Sequence, residues 1–208
     1  MELYVIRHGE SVANAGHCFA GWSQVPLTDK GKEQARRTGK RLEGFEFDRI
    51  FSSDQCRAKQ TAELVFPGRD YTEDRRIREL SVGAMLECRQ RDDCIAEYGD
   101  SIRDAMRTHD FTLFGGEDVP AHLKRVSEFM EDLKKYSTDS RIAVVCHAGT
   151  IFCMLCYVLG GERDYRSVIT ENACVSVFAL EDGMWKLCKW NETGNLRKET
   201  NSLTLQNV

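Results

Sequence analysis

A chain of 208 residues can bury one sizeable core, and 41% hydrophobic with 30% charged residues excludes a disordered or fibrous protein. The formal charge of −4, with no basic block, excludes a general nucleic-acid binder but not an anionic substrate met by a few focused arginines. No apolar run nears the roughly 18 residues of a membrane span.

The first element is the apolar strand Leu3-Tyr4-Val5-Ile6, which runs straight into Arg7-His8-Gly9. Charged residues in that position sit at a strand's carboxyl end, where open α/β sheets bind ligands. A planar cationic fork, a nucleophilic imidazole and a residue without a side chain together suit an anion such as a phosphoryl group.

The spacing then predicts an amphipathic helix over 28–42 capped by Thr28, a strand over 48–52 and a helix over 55–65. A charged, partly helical insertion over 81–116 comes next, expected to lie above the sheet's carboxyl edge and to act as a lid that selects substrates. Residues 118–136 form a long helix with Val119, Leu123, Val126, Phe129, Met130 and Leu133 near one stripe. A third strand over 142–146 leads to His147 and a buried helix over 150–159 (TIFCMLCYVL). Strands over 173–180 and 184–190 flank Glu181-Asp182-Gly183, a hairpin signal. The pattern predicts one α/β domain over 1–208, a three-layer α/β/α sandwich with a mostly parallel sheet and one antiparallel edge.

Nine cysteines, an odd number in a chain this long, do not fit a secreted disulfide scaffold. Cys146, Cys153, Cys156 and Cys174 stand in apolar runs and read as small buried hydrophobes. With no basic leader segment, the sequence predicts a cytoplasmic protein away from membranes. His17, His109 and His122 have no carboxylate or cysteine set at ligand spacing and read as surface or loop residues, and no metal or cofactor is expected. Trp185 and Trp190 read as core or edge packing, and a monomer or homodimer is expected.

Several blocks occur in a fixed order: Arg7-His8-Gly9-Glu10-Ser11 with Asn14, Gly21-Trp22, Pro26-Leu27-Thr28, Ser52-Ser53, Arg57-Ala58, Gln60-Thr61-Ala62, Glu79 with Gly83, Gly116-Glu117 and His147-Ala148-Gly149. In them the chain resembles the histidine phosphatase superfamily, in its phosphoglycerate mutase-like branch. The resemblance implies His8 as a nucleophile that carries the phosphoryl group, and Arg7 and Arg57 as its clamp. It implies His147 as a second cation opposite His8, Glu79 as general acid and base, and Asn14 and the backbone at Ala148 as further phosphate contacts. The implied activity is metal-independent hydrolysis of a small phosphorylated metabolite. A cofactor-dependent phosphoglycerate mutase and a non-catalytic phospho-ligand-binding module are the alternatives. Ala20 stands where true mutases favour a small hydroxyl residue, and the insertion holds no proline and offsets its arginines with acids, which favours the phosphatase.

Overall fold

Side-chain alternation along the central strands sorts the core into two faces. The computed structural model describes residues 1–161 and 168–194. In strand β1 (Glu2–Arg7), Leu3 and Val5 join one apolar cluster while Tyr4 and Ile6 join another. In β4 (Arg141–Cys146), Ile142 and Val144 divide from Ala143 and Val145 in the same way. Helices α2 (Asp29–Arg41) and α3 (Cys56–Val65) cover the second face; α6 (Val119–Leu133) and α7 (Ala148–Leu159) cover the first. The result is the expected three-layer α/β/α sandwich.

The sheet has six strands in the order β3-β2-β4-β1-β5-β6, with β2 at Arg49–Ser52 and a two-residue β3 at Thr72–Glu73. Strands β3, β2, β4 and β1 are parallel neighbours, and β5 (Val175–Glu181) runs antiparallel to β1. β5 turns through Asp182-Gly183, both at positive φ, into β6 (Met184–Glu192), as a two-residue hairpin requires. Strand register aligns the ends of β1, β2 and β4: Arg7 lies opposite Cys146, and Ser52 opposite Val145. The residues just beyond these strand ends, His8, Ser53 and His147, therefore share one level at the sheet's carboxyl edge.

The insertion folds into α4 (Arg91–Tyr98), α5 (Asp100–Thr108) and a 3-10 turn at Thr112–Phe114. It carries its own small core, in which Leu80, Val82, Leu86, Cys94, Ile102, Phe111 and Phe114 pack with Phe19. The short helix α1 (Val12–Ala15) and strand β3 left no periodic signal in the sequence. Helix α7 begins at Ala148, two residues before its expected start, with His147 as its N-cap.

On α6 the buried stripe is His122, Val126, Phe129, Met130 and Leu133. His122, expected at the surface, is thus a core residue whose ring nitrogen Nε2 meets Thr150 Oγ1 at 3.3 Å. The hairpin tryptophans face inward: Trp185 belongs to the core, and Trp190 packs against it and donates to the Ile169 carbonyl at 3.0 Å. Cys146, Cys153, Cys156 and Cys174 are buried free thiols. Among the described residues no helix is long and apolar enough to cross a membrane. The domain reading over 1–208 includes 162–167 and 195–208, which lie outside the described residues.

Candidate active site

A cavity of about 280 Å³ opens at the carboxyl edge of the sheet. Its floor is formed by Arg7, His8, Asn14, Arg57, Glu79 and Ala148, all expected site residues. His147, the remaining one, lies behind the floor, fully buried, its ring centroid 5.1 Å from that of His8. The upper wall comes from Phe19, Val82, Arg91, Met106, His109 and Phe111, mostly insertion residues. His109 is thus a cavity-lining residue that spacing alone did not single out.

His8 is held in one tautomer. Its Nδ1 lies 2.7 Å from the carbonyl of Gly9, and a carbonyl only accepts, so Nδ1 carries the proton. Nε2 is then an unprotonated acceptor and takes the Arg57 Nε–H at 3.2 Å. Burial, followed by the Arg57 and Arg7 charges, holds the imidazole well below its ordinary pKa of 6.5, so the ring is neutral near pH 7. Gly9 stays in place because its N–H donates to Thr61 Oγ1 at 3.1 Å, and Thr61 in turn donates to the Arg57 carbonyl at 2.7 Å. Gly9 must also be small: a Cβ there would lie 2.3 Å from the Gly31 carbonyl oxygen.

Arg57, in the first turn of α3, is 1% exposed, and burial lowers its pKa to about 10. Its Nη1 and Nη2 donate to the carbonyls of Ser23 and Gly21 at 3.0 and 2.9 Å. Arg7 donates through Nη1 to the Thr170 carbonyl, while its Nε is buried without a partner among the described residues. His147 pairs through Nε2 with Ser53 Oγ at 2.9 Å, and its Nδ1 is likewise buried and unpartnered among the described residues. Burial, then chiefly the Arg57 charge, pushes its pKa well down. Arg7 lines the cavity, so its orphaned Nε fits a site whose ligand completes the bonding, since a buried unsatisfied group costs roughly 1–3 kcal/mol.

Asn14 accepts at Oδ1 from Ser11 N at 3.1 Å and Asn172 Nδ2 at 3.4 Å, so its Nδ2–H group is what it can offer the cavity. Glu79 Oε1 accepts from its neighbour Leu80 N at 2.9 Å and from Gly149 N at 3.1 Å. The amide at the second residue of α7 therefore serves Glu79, while Ala148, whose backbone is the expected phosphate contact, lines the cavity. Gly149 is required for that approach: a Cβ would lie 2.2 Å from Glu79 Oε1 and 3.1 Å from the His122 ring.

Sequence reasoning missed the side chains that brace this set. Gln55, fully buried, donates to the Gly21 carbonyl at 2.7 Å and accepts from Glu79 N at 2.9 Å, tying the Arg57 side of the site to the Glu79 side. Ser53 appeared only as part of a block; its bond to His147 depends on β2 and β4 being neighbours, which no local pattern encodes.

This assembly also has relatives. Residues 3–193 match the sequence profile of the Histidine phosphatase superfamily (branch 1). The chain belongs to that superfamily. Among members of the superfamily, it is 32% identical over 197 residues to the Salmonella paratyphi A protein named "Probable phosphoglycerate mutase GpmB", covering 91% of this chain and 90% of that one. The alpha-ribazole phosphatase from Shigella flexneri is 26% identical, with a TM-score of 0.86 over 95% of this chain and 100% of its own. Bacillus stearothermophilus YhfR is 26% identical, with a TM-score of 0.85 over 93% and 98%. The histidine phosphatase fold thus extends over nearly the whole chain.

Proposed function

We propose that this histidine phosphatase superfamily member is a phosphomonoesterase that hydrolyses a small phosphorylated metabolite through a phosphohistidine on His8. The observation that carries the reading is the state of His8: neutral, with Nδ1–H donated to Gly9 and the Nε2 lone pair directed at Arg57. A neutral imidazole in that tautomer is a competent nucleophile.

In the first step Nε2 attacks phosphorus and the P–O bond to the alcohol breaks. The Arg57 Nε–H that Nε2 accepts in the free site passes to a phosphoryl oxygen. Arg7 Nε finds its partner in another oxygen, with His147 beside His8 behind the floor, so charge builds against donors already in place. Glu79 delivers a proton to the leaving alkoxide. In the second step Glu79 takes a proton from water, the hydroxide attacks phosphorus, and the N–P bond breaks to release inorganic phosphate. Ala20 in the cavity wall offers no hydroxyl to a second alcohol, which favours water as the acceptor. The insertion wall would face the alcohol portion and select it.

Phosphate release from a panel of phosphomonoesters in EDTA, with 3-phosphoglycerate included and its 2-isomer monitored, tests the reading. Release without isomer formation is expected. His8→Ala should lose at least about 10⁴-fold in turnover and the acid-labile phosphoenzyme while remaining folded. Isomer formation without release would make the protein a mutase, and a His8→Ala protein with retained activity would remove the nucleophile.

A further inference from the structure

Residues 78–83, which carry Glu79, belong to no helix or strand, so something other than a ladder must satisfy and fix their backbone. The side chain that does so comes from the middle of α6. Arg125 Nη1 donates to the carbonyls of Arg76 and Arg78, both at 2.7 Å, and Nη2 donates to the carbonyl of Glu79 at 2.8 Å. Its other edge grips Glu117 in two parallel bonds, Nε to Oε1 at 2.9 Å and Nη2 to Oε2 at 2.8 Å. Glu117 Oε2 then accepts from Ser81 N at 3.0 Å. One fork therefore holds carbonyls before and at Glu79 and, through Glu117, the amide two residues after it.

The pair is well shielded, with side-chain exposures of 15% and 17%. The Glu79 carbonyl takes a second donor, Trp22 Nε1, at 2.8 Å. The Trp22 ring also packs against the guanidinium of Arg125 at 5.9 Å and of Arg78 at 4.8 Å. Apart from Glu117, every hydrogen bond of Arg125 goes to a backbone carbonyl at or just before Glu79, so the fork fixes where Glu79 stands.

We infer that Arg125 is a positioning residue for the Glu79 proton transfer, acting with Glu117 from outside the cavity. This rests on the reading of Glu79 as the proton donor. A misplaced acid hurts an alkoxide, which needs the proton, far more than p-nitrophenolate, which leaves without it. A purely structural role would slow both substrates alike.

The test compares kcat and KM for p-nitrophenyl phosphate and for the best alkyl phosphate of the panel, in wild type, Glu79→Gln, Arg125→Ala and Glu117→Gln. Arg125→Ala is expected to lower kcat about 100-fold on the alkyl ester, with only a few-fold loss on p-nitrophenyl phosphate and little change in KM. Glu117→Gln keeps one acceptor oxygen and should show the same selectivity more weakly. If Arg125→Ala does not fold, Arg125→Lys must reproduce the selective loss, because an ammonium cannot span three carbonyls and a carboxylate. Equal slowing of both esters by the Arg125 variants, or none, overturns the inference. A wild-type protein silent on both esters, or a Glu79→Gln protein that slows both equally, overturns the underlying reading and this inference with it.

Discussion

The floor and the upper wall of the cavity are built on opposite principles. The floor hangs from strand ends locked in register and from the first turn of α3: His8 is 3% exposed and Arg57 1%, with His147 behind them at 0%, and each is fixed by bonds to backbone or to a buried hydroxyl. The wall is an insertion with a separate apolar cluster. Backbone bonds at its rim, such as Phe19 N to the Arg89 carbonyl and Glu117 N to the Ser81 carbonyl, tie it down. Its outer face carries i,i+3 pairs, Arg103–Asp100 and Arg107–Asp104, too exposed to stabilise it much. On the proposed function, a floor fixed by such bonds beneath a wall with its own core lets one chemistry be kept while the alcohol pocket varies.

The largest effect should come from the wall's own core. Leu86 is fully buried in that cluster, and Leu86→Ala should cost about 2–5 kcal/mol, confined to the insertion. Hydrogen exchange would then accelerate across α4 and α5 while β1 and β4 keep their protection. Equal acceleration in both regions would show that wall and floor unfold as one unit.

The floor should instead be sensitive to acid. His8, His122 and His147 all have pKa values held well below 6.5, chiefly by burial. Below pH 6.5 the unfolded chain binds protons that the folded one refuses, so stability present above that pH is lost as pH falls. Each histidine should cost about 1 kcal/mol between pH 6.5 and 5.5, about 3 kcal/mol together. Urea midpoints across this range measure it; a flat profile would mean that the rings take up protons in the folded state.

Gly149→Ala sharpens the comparison within the floor. The added methyl displaces the Glu79 carboxylate without touching His8, so about 100-fold loss is expected on alkyl phosphates, with the phosphohistidine still formed from p-nitrophenyl phosphate. Activity within about threefold of wild type would show that the contact with Gly149 does not set the position of Glu79.

Legibility tracked sequence distance. The Arg7-His8-Gly9 triplet could be placed from its own strand, Thr28 capped the helix it was expected to cap through its bond from Gly31 N, and the 182–183 turn closed the hairpin. The error at His122 was avoidable, since it sits four residues before Val126 on the stripe that the periodicity already traced. Arg125 was not readable in the same way: the backbone carbonyls it holds lie 46 to 49 residues away along the chain, and an arginine on a helix is by default solvated.

The sequence by itself determined the layered α/β architecture, because strand and helix periods and their caps are local. It also determined which residues could handle a phosphoryl group, because imidazole and guanidinium have that chemistry wherever they stand. Only the tertiary structure decided the proton position on His8, the pairing of His147 with Ser53, and the seat of Glu79 between Gly149 and the Arg125 fork. Those depend on which strands are neighbours and how closely backbones approach. Hydrogen-bond directions and desolvation exist only once distant segments are packed together.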